Sequence, residues 1–218
     1  MCAQFQVEVI KFQKALSIFA LDLQEVSWQG KILPHSKAPV ILLKDKNYKI
    51  DLFNFSLIPV WSKTRKPKFA THNTRIETVL EKPTWKQPFL KNHCLVPLTA
   101  FIEPIYEGEY AGNMLKFELA ECAFVPAIFD HWTDKETGEV IYSFSILTTN
   151  PGNYVKKIGH DRSPIFITQN IKTFEYWFGT HKHNPSEFLK FLSKHEEPLM
   201  SVSIDRPLKS GWEKRKNK

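Results

Sequence analysis

Residues 94–103 read CLVPLTAFIE, an apolar run that ends on a single carboxylate and is followed by Pro104. A run of this length, bounded by a breaker, reads as a strand buried on both faces and stopped by Pro104. Proline restricts the residue before it to extended backbone, so the direction of the Glu103 side chain is fixed at the rim of a core. Partial burial there is expected to raise its pKa and make it a usable proton carrier. Working outward, residues 40–43 and 49–53 read as strands with a hairpin turn at Asp45-Lys46-Asn47, and residues 55–61 as a strand entering a loop. Residues 124–132 and 141–149 are strand-like and joined by the hairpin signal DKETG at 134–138, and residues 165–168 and 199–204 add two more strands.

Helices are fewer. The region 5–21 reads as mostly helical, residues 170–178 and 185–195 are amphipathic, and Pro151 opens a short helix that Gly159 closes. Asn73 suits a helix N-cap and Glu77 its first turn, so a helix is expected to begin there. Residues 83–91, with two prolines, read as an interruption. No repeat or long linker divides the chain. The pattern predicts a single α+β domain over residues 2–208, built on a curved, mostly antiparallel sheet or open barrel with peripheral helices. The basic stretch 209–218 reads as a mobile tail.

The chain has 218 residues, and 30 Lys+Arg against 23 Asp+Glu give it a formal charge of +7, which leans toward a polyanionic partner. Its 17 Phe, six Trp and six Tyr are mostly core, with some available as stacking platforms for unpaired bases. Three cysteines without CxxC spacing argue against a disulfide framework or a zinc site and for a reducing compartment. No signal peptide or membrane-length apolar run is present, so a cytoplasmic protein is expected. A monomer needing no metal or cofactor is expected beside it.

Cys2 is the residue with unusual chemistry. Once Met1 is removed, it carries an α-amine and a thiol on adjacent carbons, and both keep a reactive fraction at neutral pH. The amine can condense with an aldehyde, and the thiol can then close a five-membered thiazolidine. Histidine as a residue type suits proton transfer near neutrality, and His160 stands in the loop HDRSP at 160–164. The other seven histidines read as structural or surface groups. The loop holding Lys63, Arg65, Lys66 and Lys68 follows Trp61 and reads as a basic groove edged by a stacking platform. Arg75 and Glu77 alone would be an ordinary surface ion pair.

Taken in order, Cys2, Pro59-Val60-Trp61, the NTRIET stretch 73–78, residues 94–97 leading to Phe101-Ile102-Glu103, Thr148-Thr149 and HDRSP resemble the SOS-response-associated peptidase (SRAP) family over nearly the whole chain. That resemblance implies shielding of abasic sites in single-stranded DNA by covalent cross-linking. It implies that Cys2 is the nucleophile, Asn73 orients the abasic sugar, Glu103 is an acid/base beside Cys2, and His160 assists ring opening. Arg75 and Arg162 would hold the DNA backbone, Pro39 and Trp61 would present apolar surface around the lesion, and Lys63 and Thr149 would join the DNA contacts. The family's peptidase label would correspond to self-processing at the Met1–Cys2 bond. Ala3-Gln4, Ile102, Pro104 and Ser163 depart from the family's usual residues but leave the four reactive positions in place. Two rival readings are a non-covalent single-stranded-DNA-binding module that has lost the reaction, and a peptidase acting on other proteins.

Overall fold

The computed structural model describes residues 4–23, 27–28, 30–179 and 184–215. Residues 94–103 lie inside one long strand, β6 (His93–Ile105), buried along almost all of its length. The strand does not stop at Pro104, which sits inside it opposite Met114. Around it are β1 (Gln4–Gln6), β2 (Lys31–Ile32), β3 (Lys37–Lys44), β4 (Asn47–Phe55), β5 (Asn73–Arg75), β7 (Asn113–Thr133), β8 (Val140–Thr149), β9 (Ser163–Pro164) and β10 (Met200–Pro207).

These ten strands form one sheet whose path runs β10-β7-β8-β4-β3-β6-β1-β2, and an additional pairing of β7 with β6 closes β6, β7, β8, β4 and β3 into a ring. The expected curved, mostly antiparallel sheet is therefore present, with β4–β8 and β5–β8 as its parallel pairings. Strand β7 makes the closure possible because it serves three neighbours. Its register with β6 shifts between Leu98 and Ala100, a bulge that bends the long strand.

Phenylalanine fills the ring. Phe5 packs edge-on against Phe55 at 5.0 Å between ring centroids, and Phe101 stacks on Phe117 at 4.7 Å. Such pairs add attraction beyond the area they bury. The anchoring of Phe5 has a positional result: it pins β1 against β6, with Gln4 opposite Ile102 and Phe5 opposite Phe101.

Among the described residues, five α-helices lie around the sheet: α1 (Val9–Ala15), α2 (Pro83–Lys91), α3 (Asn153–Ile158), α4 (Ile171–Phe178) and α5 (Pro185–Leu192). Three further expectations need correcting. Residues 83–91 are helical, because Pro83 occupies the first turn, where a missing N–H costs nothing; Pro88 lies further along the same helix. Asn73 does not cap a helix. It begins β5, which pairs in parallel with β8, and only Ile76–Thr78 make a single 3-10 turn. Residues 165–168 are irregular, and the strand near them is Ser163–Pro164. At the C-terminal side, Trp212 lies against Gly112 and within 6.4 Å of the Tyr106 ring. Among the described residues, no helix is long and apolar enough to cross a membrane.

Candidate active site

Glu103 is fully buried near the end of β6, and His160 is 7% exposed in the loop after α3. Their side chains meet, with His160 Nε2 3.5 Å from Glu103 Oε1. His160 is delivered by Gly159, which ends α3 at φ 103 in the left-handed region. A Cβ there would stand 2.6 Å from the Glu107 carbonyl oxygen, so the close approach requires glycine.

Burial acts to raise the Glu103 pKa, as the sequence suggests. Surrounding positive charge and the hydrogen bond from His160 outweigh it, and the carboxyl is held below its ordinary value. The expected direction is thus reversed, and the site contains a buried carboxylate that stays charged. His72 also feels that carboxylate. Burial lowers the His72 pKa and the charge of Glu103 pulls it up, with burial prevailing. The sequence reads this half-buried histidine as a structural or surface group; its one available signal is its place directly before Asn73.

His160, Gly159 and Asp161 line an open cavity of about 420 Å³ with Glu107, Asn150 and Lys156. His160 stands at the wall of this cavity with Glu103 buried behind it, so the imidazole can pass a proton to or from a bound sugar while the carboxylate supports it.

A second group assembles on neighbouring strands. Asn73 and Arg75 on β5 stand opposite Ile146 and Thr148 of β8, and Thr149 stands opposite Ser163 of β9. Arg162, buried beside them, donates from Nη1 to Glu77 Oε1 at 2.8 Å and to Asn150 Oδ1 at 3.1 Å. Its Nη2 donates to Glu77 Oε2 at 3.0 Å and to the Thr148 carbonyl at 2.8 Å. Glu77 therefore pairs with Arg162 in bidentate fashion, and Arg75 is exposed. For Glu77, burial raises the pKa, but the Arg162 bonds bring it below its usual value.

Trp61 is 55% exposed and stacks on the half-exposed Phe69 at 6.2 Å and 22° between planes. The exposed Lys63, Arg65, Lys66 and Lys68 lie between them in the chain. Pro39 is buried in β3 opposite Leu52 and is not an exposed apolar ledge. Cys2 lies outside the described residues. The other two cysteines are buried, and burial pushes both thiols up, that of Cys122 to about 12.

Together these features define a single α+β domain with a closed five-strand ring and a buried carboxylate–imidazole pair beside its N-terminal strand. The model of one family, described as SOS response associated peptidase (SRAP), matches residues 1–209, and the chain belongs to that family. It is similar to the abasic site processing protein YoqW of Bacillus subtilis (strain 168), with 23% identity over 208 residues, covering 93% of this chain and 91% of the relative. The abasic site processing protein HMCES of Pongo abelii is 26% identical over 202 residues, covering 75% of this chain and 56% of that protein. Among solved structures, a protein from Bacteroides thetaiotaomicron shares the fold with a TM-score of 0.73 and 23% identity, over 94% of this chain and 92% of its own. A protein from Bordetella bronchiseptica does so with a TM-score of 0.74 and 18% identity, over 94% and 100%.

Proposed function

We propose that this protein binds single-stranded DNA at abasic sites and joins the lesion through Cys2, exposed by removal of Met1, as a thiazolidine. The observation that carries this reading is the buried Glu103–His160 contact at 3.5 Å, next to the strand through which the N-terminal segment enters. Gln4 pairs with Ile102, the residue before Glu103, and two peptide links keep Cys2 within about 7 Å of Gln4. The names of the relatives, as abasic site processing proteins, agree with the substrate. Of the three cysteines, Cys94 and Cys122 are held as thiols by burial, which leaves Cys2 as the reactive one.

The steps balance without a cofactor. His160 takes the proton of the anomeric hydroxyl and returns it to the ring oxygen as the bond from that oxygen to the anomeric carbon breaks, which gives the aldehyde. The Cys2 amine adds to that carbonyl, and one proton is spent in expelling water to give the iminium, whose nitrogen keeps one hydrogen. The charged Glu103 offsets the positive iminium and accepts the thiol proton. The thiolate then closes on the same carbon, the C=N electron pair returns to nitrogen, and the proton left on Glu103 replaces the one spent in expelling water. Asn73 orients the sugar, while Arg75, Thr149, Lys63 and the Trp61–Phe69 stack hold the flanking strand in a domain running from residue 2 to about 208. Arg162 contributes by bracing Glu77 and Thr148. The same amine-exposing step would be self-processing at Met1–Cys2, and the protein would work on nucleoid DNA in the cytoplasm.

The test is incubation with an abasic single-stranded oligonucleotide, followed by heating, a denaturing gel and intact mass. A heat-stable adduct on protein lacking Met1 is expected. Binding without any heat-stable adduct would instead identify a non-covalent module. Cys2→Ser should give an adduct trapped by borohydride but lost on heating without it, and full heat-stable yield from Cys2→Ala would move the nucleophile elsewhere.

A further inference from the structure

Ser56 is the least comfortable residue near the basic loop. It is 2% exposed and has φ 97, a backbone region that favours glycine and costs any residue with a side chain. Its amide donates to the Phe144 carbonyl at 3.1 Å, but its buried hydroxyl has no partner among the described residues. A buried hydroxyl without a hydrogen bond is itself unfavourable. Two penalties at one position ask for an offsetting contact from outside the chain.

The surroundings indicate what that contact is. Ser56 lines a cavity of about 380 Å³ with His35, Asn54, Ile58, Arg65 and Lys66. Two cationic side chains thus stand at the wall, with an imidazole and an amide able to donate. His35 is also held at positive φ (72), so the cavity's backbone is strained at two places. Beside this set Glu139 lies 3.6 Å from Arg65, and both groups are more than half exposed. An exposed pair of that kind gives way to a competing anion at little cost.

We propose that this cavity seats a phosphate of the bound nucleic-acid strand, with the Ser56 hydroxyl turning from its enclosed position to donate to it and Arg65 and Lys66 supplying charge. The inference rests on the reading of the protein as a single-strand binder and adds a specific anchoring point to it. A phosphodiester fits because its two free oxygens can take the hydroxyl and a cation together. A free phosphate ion shares that chemistry.

Ser56→Gly tests the assignment, because it relieves the backbone strain while deleting the hydroxyl. It should melt at a temperature equal to or above that of the wild type, yet bind an intact single-stranded oligonucleotide about tenfold more weakly by fluorescence anisotropy. The double variant Arg65→Ala with Lys66→Ala should lower the slope of log affinity against log salt by about 0.7, the share of the one phosphate seated there. Wild-type affinity in Ser56→Gly would overturn the proposal. So would inorganic phosphate raising the melting temperature of wild type but not of Ser56→Gly while strand affinity stayed equal, since the occupant would then be a free ion. Adduct formation by wild type on an abasic strand is scored separately. Its absence would remove the cross-linking reading and leave the affinity comparison standing.

Discussion

At the scale of single residues, the site depends on how closely Gly159 lets the chain pass Glu107. With φ at 103 and only 2.6 Å between an added Cβ and the Glu107 carbonyl oxygen, Gly159→Ala must shift the His160 loop or the Glu107 turn. Destabilisation above the usual 1 kcal/mol or so for a glycine at an incompatible position is expected, with slower cross-linking. Denaturant unfolding and single-turnover adduct formation would measure the two effects; wild-type values in both would show that the loop yields freely. Glu103→Gln and His160→Ala should each slow cross-linking by about 10²–10⁴-fold, the usual worth of general acid–base catalysis, with little change in affinity for intact single strands. A variant at either position that retained the wild-type rate would remove that residue from the chemistry. The pH sign follows from the lowered Glu103 pKa. Its carboxylate stabilises the fold above the ordinary glutamate value, and that contribution is lost as pH falls through the lower folded value. Glu103 and His160 are both legible in the sequence through their apolar-run and loop contexts. The contribution of His72 and the commitment of Arg162 to Glu77 are not, because each depends on which strand lies alongside.

At the scale of elements, the same distinction explains where sequence reading succeeds. The apolar runs of β6, β8 and the second half of β7 announce themselves, and so does the left-handed Gly159 that ends α3, while the first half of β7, residues 113–123, carries no run that the sequence reading picks out. Residues 73–78 carry helix-start chemistry, yet a parallel partner in β8 overrides it, since Asn73–Arg75 gain a hydrogen-bonded neighbour that no local signal encodes. The 3-10 turn that follows places Glu77 where it clamps Arg162. Glu77→Ala should therefore cost about 2–3 kcal/mol in urea unfolding, because it removes charge-assisted bonds from a buried guanidinium. A loss within about 0.5 kcal/mol, the range of an ordinary surface substitution, would show the clamp to be dispensable. The seam between α2, β6 and α4 offers a pH test. His93 stacks on Trp177 at 3.7 Å, with its two ring nitrogens each 2.6 Å from a carbonyl oxygen, of Trp177 and of Phe89. The carbonyls favour a charged ring, but burial acts more strongly and pushes the pKa down from 6.5 to about 4. The unfolded chain then binds a proton between pH 6.5 and 4 that the folded chain does not, so stability should fall as pH drops through that window. His93→Gln should remove that share of the slope. If stability rises instead on acidification, the two carbonyls hold an imidazolium.

At the scale of the whole molecule, charge and aromatic surface decide which DNA is engaged. The formal +7 is a modest excess, but the exposed lysines and arginine of residues 63–68 concentrate part of it beside the Trp61–Phe69 stack. Basic side chains bind by displacing counterions from phosphates, so affinity for single strands should fall linearly with log salt, by about 0.7 per neutralised phosphate. Trp61→Ala should weaken intact single-strand binding by about 1–3 kcal/mol while leaving the salt slope in place, since base stacking releases no counterions. Under the proposed cross-linking, the Glu103–His160 pair adds a separate restriction. Glu103 is fully buried and His160 nearly so, which means the sugar must come to them. In a continuous duplex, that movement requires breaking the stack on both sides of the lesion, a cost of a few kcal/mol; a single strand is already free to bend. Matched oligonucleotides carrying one internal abasic site, offered as single strand and as blunt duplex at the same salt, should thus differ in initial adduct rate by one to three orders of magnitude. The difference should narrow when the duplex is unpaired around the lesion. Equal rates on the intact duplex and the single strand would mean that the lesion reaches Glu103 and His160 without the strand being freed from its stack.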